Sequence, residues 1–109
     1  MLARRNRIVE ADDFRRVVRR GEKVVTAGLV GYRIPSDGCR IGIIVTAKSG
    51  NAVVRNTIRR RTRAITNSFI ANGELSGDVV FRFRGETEQL DFAAIENGIQ
   101  QCVDGWRSA

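Results

Sequence analysis

The sequence predicts an α+β fold: a two-layer α/β sandwich of one four-stranded sheet with helices, in the order αβββαβα. Three observations lead there. Apolar residues recur at helical spacing in three separate stretches, while β-branched runs bounded by Gly, Pro or Asn lie between them. The 109 residues suit one compact domain, and 42% of them are hydrophobic, enough for a real core. No repeat of solenoid period and no Pro-rich or low-complexity tract interrupts the chain.

Residues 1–9 read as a basic, weakly ordered arm on a single domain spanning 1–109. Ala11 to Arg20 reads as a helix. Asp12 and Asp13 suit its first turn, Arg19 and Arg20 its last, and Gly21 is placed as a C-terminal cap. Phe14, Val17 and Val18 form its apolar stripe. Lys23 to Ile34 reads as a short strand and a longer one, broken near Ala27-Gly28. Pro35-Ser36-Asp37-Gly38 is a turn. Cys39 to Thr46 is nearly continuous in hydrophobicity and reads as a central strand. Ser49-Gly50-Asn51 precedes a long helix from Ala52 to Ala71, which Asn72-Gly73 ends. Asp78 to Arg84 alternates into a strand. Asp91 to about Val103 is a last amphipathic helix with Phe92, Ile95, Ile99 and Cys102 on one face; Gly98 weakens it somewhat.

The net charge is +7, and its distribution says more than its size. Residues 1–63 hold 16 of the 19 Lys/Arg and 5 of the 12 Asp/Glu, a balance of +11, against −4 for residues 64–109. A compact domain so divided has a basic face, and a polyanion is its natural partner. Lys23 and Lys48 are the only lysines. Arginine's planar fork bridges phosphate oxygens and stacks on bases, which suits nucleic acid. An Arg-rich proteome would raise the Arg/Lys ratio as well, but it does not explain the clustering. No apolar run approaches the roughly 18 residues of a membrane span. The basic start leads into no apolar signal core, so a cytoplasmic location is expected. Cys39 and Cys102 lack metal-ligand spacing and read as buried thiols of a reducing compartment.

The chemistry is concentrated between Arg55 and Arg63. On a helical wheel at about 100° per residue, Val54, Ile58, Ile65 and Phe69 form one stripe. Arg55, Asn56, Arg59, Arg60 and Arg63 face outward together, with Arg61 beside the apolar stripe. No acidic residue occurs from Val53 to Ala71, so these arginines are not an ordinary (i, i+4) ion-paired surface. Four neutralised phosphates would give a log–log salt slope of about −3 to −4. There is no helix-turn-helix pair, zinc-ligand set or heptad zipper, so the common DNA-reading modules are absent and RNA is the better partner.

At these residues the chain resembles the protein subunit of bacterial ribonuclease P. The family pattern has Arg-x-Gly on a strand, a basic turn, Gly-x-Ala-Val-x-Arg-Asn-Arg and a basic helix. Here it stands as Arg40-Ile41-Gly42, then Lys48-Ser49-Gly50-Asn51-Ala52-Val53-Val54-Arg55-Asn56, then Arg59, Arg60 and Arg63. Arg5-Asn6-Arg7-Ile8, Asp13-Phe14, Gly21 and Tyr32 match in order, so the similarity runs from about Arg5 to Asp91.

The resemblance implies a left-handed β-α-β crossover of third strand, long helix and fourth strand, as in the second domain of a small-subunit ribosomal protein. It implies two RNA surfaces as well. Arg55, Asn56, Arg59, Arg60, Arg63 and Lys48 would bind the catalytic RNA subunit. A cleft between the first helix and the sheet would bind the single-stranded 5′ leader of precursor tRNA, through Phe14, Val18, Tyr32, Arg5 and Arg7. Phe14 could equally be core, lying as it does on an apolar helical stripe. Three positions depart from the pattern: Thr57 replaces the second arginine of Arg-Asn-Arg, Ala47 a basic residue, and Val18 an aromatic one, leaving a smaller leader platform.

The chain is poorly equipped for catalysis of its own. It has no histidine, and no Cys or carboxylate cluster has metal-site spacing. The family solves this with an RNA subunit that performs Mg²⁺-dependent phosphodiester hydrolysis, the Mg²⁺ being held mainly by that RNA and the substrate. The protein aids substrate binding and, indirectly, metal binding. No catalytic or metal-ligating residue is expected in the protein, and neither DNA nor a membrane is an expected partner. Two rival functions differ in kind. A structural ribosomal RNA-binding protein would co-sediment with ribosomes; a protein-only nuclease would cut without RNA.

Overall fold

A computed structural model describes residues 3–85 and 91–107 of the chain. Helices α1 (Ala11–Arg20), α2 (Ala52–Ala71) and α3 (Phe92–Arg107) accompany strands β1 (Glu22–Val25), β2 (Leu29–Ile34), β3 (Cys39–Ile44) and β4 (Gly77–Phe83). The element order is the expected αβββαβα. The four strands form one sheet in the order β1-β2-β4-β3, antiparallel except for the parallel pair β3 and β4. Helix α2 is the crossover between those two parallel strands.

Strand β3 is therefore an edge strand, not the central one that its hydrophobicity suggests. It is apolar on both sides because both sides are covered. Cys39 and Ile41 enter the core beneath α2 and α3, while Phe14 of α1 packs on Gly42 from the opposite side. A Cβ at position 42 would lie 2.5 Å from the Phe14 ring, so this glycine is what lets α1 approach the sheet.

The edge of β3 is not bare. The expected weakly ordered arm instead forms a short 3-10 turn over Arg4–Asn6, and Arg7 then bridges to Ile41 in parallel. The Ile8 amide donates to the Ile41 carbonyl at 2.9 Å, and the Asn6 side-chain amide donates to the Cys39 carbonyl at 2.7 Å. Ile8 itself is buried, which supplies the apolar gain that holds the segment down. Met1 and Leu2 of the expected arm lie outside the described residues.

Alternation along the strands divides the core in two. Leu29, Ile41, Val79, Phe81 and Phe83 face α2 and α3. Val30, Tyr32 and Val80 face α1 together with Val17 and Ile8. Helix α3 runs four residues past its expected end, to Arg107, and buries Trp106, whose indole N–H donates to the Glu22 carbonyl at 2.9 Å. Its glycines help it pack: a Cβ at Gly105 would lie 2.9 Å from Val24, and one at Gly98 would lie 3.1 Å from Leu29.

The boundaries of α2 match the sequence because local chemistry sets them. The Asn51 side chain accepts from the Val54 amide at 3.0 Å as an N-cap. At the other end Gly73 adopts φ +71° and Glu74 donates back to the Phe69 carbonyl, a Schellman-type stop. Gly21 does follow α1 as expected, but with φ −70° it is extended rather than left-handed. It must be small for another reason: a Cβ there would lie 2.4 Å from the Val17 carbonyl oxygen.

Candidate nucleic-acid interface

Helix α2 presents the predicted two faces. Ile58, Ile65 and Phe69 are buried, and Val54 packs beside them. Thr62 and Thr66 are fully buried as well, which the apolar pattern did not announce. Their hydroxyls donate to the Ile58 and Thr62 carbonyls one turn back, so burial leaves no hydroxyl unsatisfied.

On the outward side Asn56 and Arg60 are exposed, and Arg55, Arg59 and Arg63 are partly so. Arg55 donates to the Gly50 carbonyl at 3.2 Å, and Arg59 donates to the Asn56 side-chain oxygen at 3.3 Å. Among the described residues no ion pair engages Arg55, Arg59, Arg60 or Arg63. Partial burial lowers the pKa of Arg63, and the positive charges of Arg7 and Arg59 lower it further. Such a group of like charges is stabilised by an anion. Thr57 donates to the Val53 carbonyl at 2.9 Å, so its hydroxyl serves the helix backbone.

Arg7 lies within electrostatic reach of the α2 face. The resemblance put it with the leader residues. In the structure its neighbour Ile8 points to the α1 side of the sheet, and the charge of Arg7 is felt by Arg63 of α2. Arg5 is exposed and lines a shallow cleft with Asn6, Gly38 and Arg40.

The opposite side of the sheet carries α1, packed on the second core cluster. Phe14 and Val18 are half-buried there, next to Ile44. Tyr32, expected as a stacking surface, is only 5% exposed, packed with Val17, Val30 and Val80. The Arg82 guanidinium carbon lies 5.9 Å from its ring centroid. The ring is thus a core residue under α1 rather than an open face for a base. The inward-pointing strand position and the tight approach of α1 explain that burial.

A charged network that local sequence patterns did not reveal holds α1 on the sheet. Asp78 of β4 is buried and accepts from Arg40 Nε at 3.0 Å, Arg40 Nη2 at 2.9 Å and Arg16 Nη2 at 2.7 Å. Arg40 also donates to Asp13 at 3.3 Å. Hydrogen bonds from Arg40 and Arg16 hold the Asp78 pKa below the usual carboxylate range, against the opposing effect of burial. Asp13, read as a helix-start residue, is therefore also a network member, and Asp12 pairs with Arg15. The arginine of Arg40-Ile41-Gly42 is structural, since two carboxylates occupy its guanidinium.

Cys39 and Cys102 are free and buried, and burial pushes their thiols up to about 11 and about 12. Neither is a nucleophile at neutral pH. No described helix is long and apolar enough to cross a membrane.

An α+β sandwich with an acid-free arginine face on its crossover helix defines a small RNA-binding protein. The comparisons with known proteins make the class specific. The ribonuclease P family matches residues 2–106. A ribonuclease P protein component from Clavibacter michiganensis is 39% identical over 106 residues, covering 94% of each chain. One from Gluconacetobacter diazotrophicus is 39% identical over 107 residues, covering 94% of this chain and 92% of its own. Among solved structures, a Staphylococcus aureus RNase P protein mutant superposes with TM-score 0.83 at 27% identity, covering 94% of this chain and 89% of that one. The Thermotoga maritima RNase P protein gives TM-score 0.72 at 27% identity, over 89% and 94% of the two chains. The chain belongs to the ribonuclease P protein family. It is accordingly the RNA-binding protein component of an endoribonuclease of tRNA 5′ maturation, and an RNA subunit is its partner.

Proposed function

We propose that the protein assists its catalytic RNA in removing the 5′ leader of precursor tRNA by binding two RNAs on two sides of one sheet. The observation that carries this reading is the α2 face: arginines gathered on one side of a helix with no acid among them. Arg55, Asn56, Arg59, Arg60 and Arg63 bind the backbone of the catalytic RNA, and Arg7 lies close enough to join them electrostatically. The groove of Phe14 and Val18 receives the single-stranded leader, where an aromatic ring offers stacking without sequence preference. Lys48, in the short 3-10 turn just ahead of α2, joins the catalytic-RNA contacts in this reading.

The reaction's Mg²⁺ belongs in this reading to the RNA subunit and the substrate. Among the described residues no three His, Cys, Asp or Glu side chains converge to hold a metal ion, so these residues do not fit a metal site. Asp12, Asp13 and Asp78 are taken up by arginines. The protein's contribution is to position the leader and neutralise phosphate repulsion, which lets the RNA gather its metal ions at lower concentration. Such work takes place in the cytoplasm, where precursor tRNA is processed.

The test is cleavage of precursor tRNA at low Mg²⁺ by the cognate catalytic RNA, alone and with the protein. Addition of the protein is expected to restore cleavage. Absence of that rescue overturns the reading, and cleavage by the protein without RNA would replace it with a protein-only nuclease.

A further inference from the structure

The turn that joins β3 to α2 holds an unexpected buried hydroxyl. Thr46, Ala47 and Lys48 are exposed, but Ser49 is only 1% exposed. An alanine would fill almost the same space with no polar group to satisfy, so burial alone does not call for a serine. The hydroxyl is engaged: it donates to the Gly85 carbonyl at 2.9 Å, 36 residues away in sequence.

That hydrogen bond closes a strap across one end of the sheet. Just after β4, the Arg84 amide donates to the Gly28 carbonyl at 3.0 Å, and its guanidinium donates to the Thr26 carbonyl at 3.1 Å. These two contacts fasten the strap to the turn between β1 and β2. Ser49 fastens its other end to the turn ahead of α2. From there the tie runs on into the arginine face. Gly50 has φ +139°, and a Cβ there would lie 2.9 Å from Val54, so only glycine suits the junction of turn and helix. The Gly50 carbonyl accepts from the Arg55 guanidinium at 3.2 Å, and Asn51 next to it caps the helix. Lys48, the residue before Ser49, stands exposed at the same end of α2.

We propose that Ser49 is a positioning residue for the catalytic-RNA surface: its hydroxyl, fastened to Gly85, fixes the turn that carries Lys48 and receives Arg55. Without that hydroxyl the turn keeps its glycine and its cap but loses its tie to β4. Lys48 and Arg55 must then be ordered when RNA binds, and the entropy of ordering them lowers the affinity. Ser49, being buried, acts only through these neighbours. The inference rests on the reading of the α2 face as the site of the catalytic RNA.

The experiment measures association of the chain with its cognate catalytic RNA by filter binding. Ser49→Ala is expected to weaken association about fivefold, within the range of one lost hydrogen bond. Ser49→Cys, similar in size but a weaker donor, should fall between alanine and wild type. Thr62→Val removes another buried hydroxyl, one that donates within α2 itself, and should leave association unchanged. A cycle with Lys48→Ala/Arg55→Ala reads positioning directly. In that background Ser49→Ala should weaken association by less than about twofold, because the groups it positions are gone.

An equal loss in both backgrounds, or a matching loss in Thr62→Val, makes the effect a general destabilisation and overturns the proposal. No loss in Ser49→Ala where Lys48→Ala/Arg55→Ala weakens binding overturns it alone. No loss in Lys48→Ala/Arg55→Ala overturns the catalytic-RNA reading of those residues as well. Should Ser49→Ala fail to fold, Ser49→Cys carries the same cycle.

Discussion

Asp78 shows how one buried carboxylate can fix a helix on the sheet. Its carboxylate joins β4 to α1 through Arg16 and to β3 through Arg40, and Arg40 reaches on to Asp13. Replacing it by Asn leaves two arginines facing each other around a buried neutral group. Losing one partner of a buried pair typically costs about 3–5 kcal/mol. Both arginines here are more than a third exposed and can turn to water, so about 1–3 kcal/mol is expected for Asp78→Asn. The sign with pH follows from its depressed pKa. The stabilisation is complete above the ordinary carboxylate pKa of about 3.9 and is lost as pH falls through the lower folded value. Urea denaturation should therefore show a wild-type advantage at pH 7 that shrinks below about pH 4. An equal advantage at both pH values would mean that ionisation of Asp78 is not its source. None of this was legible locally: Asp78 lies 38 residues from Arg40 and 62 from Arg16. Periodicity and capping rules see neighbours a few positions apart, so Asp13 read as a helix-start residue and Arg40 only as part of a motif.

At the scale of elements, the parts governed by short-range chemistry were the readable ones. Asn51 and Gly73 mark the ends of α2, and its apolar stripe and arginine face follow from helical spacing. Tertiary placement was not readable. The hydrophobicity of β3 reflects cover on both sides, which a central strand and a well-covered edge strand share. Among the described residues the arm before α1 has one buried apolar anchor, Ile8, too little signal to distinguish order from disorder. Helix α3 passes its expected end because Gly105 lets it approach Val24, so that Trp106 can be buried. The resemblance places Tyr32 among the leader residues, and alternation along a strand gives the side of the sheet but not the depth below α1. The arginine face of α2, being local, supports a quantitative expectation. Arg59→Ala combined with Arg63→Ala removes two of about four phosphate contacts and should weaken association with the catalytic RNA. The log–log salt slope should become shallower by about 1.4 to 1.8. An unchanged slope in filter-binding titrations across salt would show that these arginines do not contact phosphate. The cap and the buried stripe are untouched by the change, so helical circular dichroism should be preserved.

For the whole molecule the sheet is a partition. One side holds α2 with its cations, the other holds α1 with Phe14 and Val18. Contacts that share no partner contribute nearly independently, within about 0.3–0.5 kcal/mol for well-separated sites. The two surfaces should therefore separate cleanly once assembly is controlled. At limiting protein, Arg59→Ala/Arg63→Ala lowers the fraction of catalytic RNA carrying protein, and substrate affinity falls for that reason alone. Raising the protein concentration restores assembly by mass action, and affinity for precursor tRNA should return to that of wild type. Phe14→Ala behaves in the opposite way: assembly is normal, and the loss of affinity for leader-bearing substrate persists at any protein concentration. Titrating each variant into fixed catalytic RNA while measuring precursor-tRNA affinity distinguishes the two. Should the arginine variant keep a deficit at saturation, α2 would have to contribute to leader binding as well. The division of labour across the sheet would then give way to one continuous RNA surface passing around the edge of β3, where Arg7 already brings the arm within electrostatic reach of Arg63.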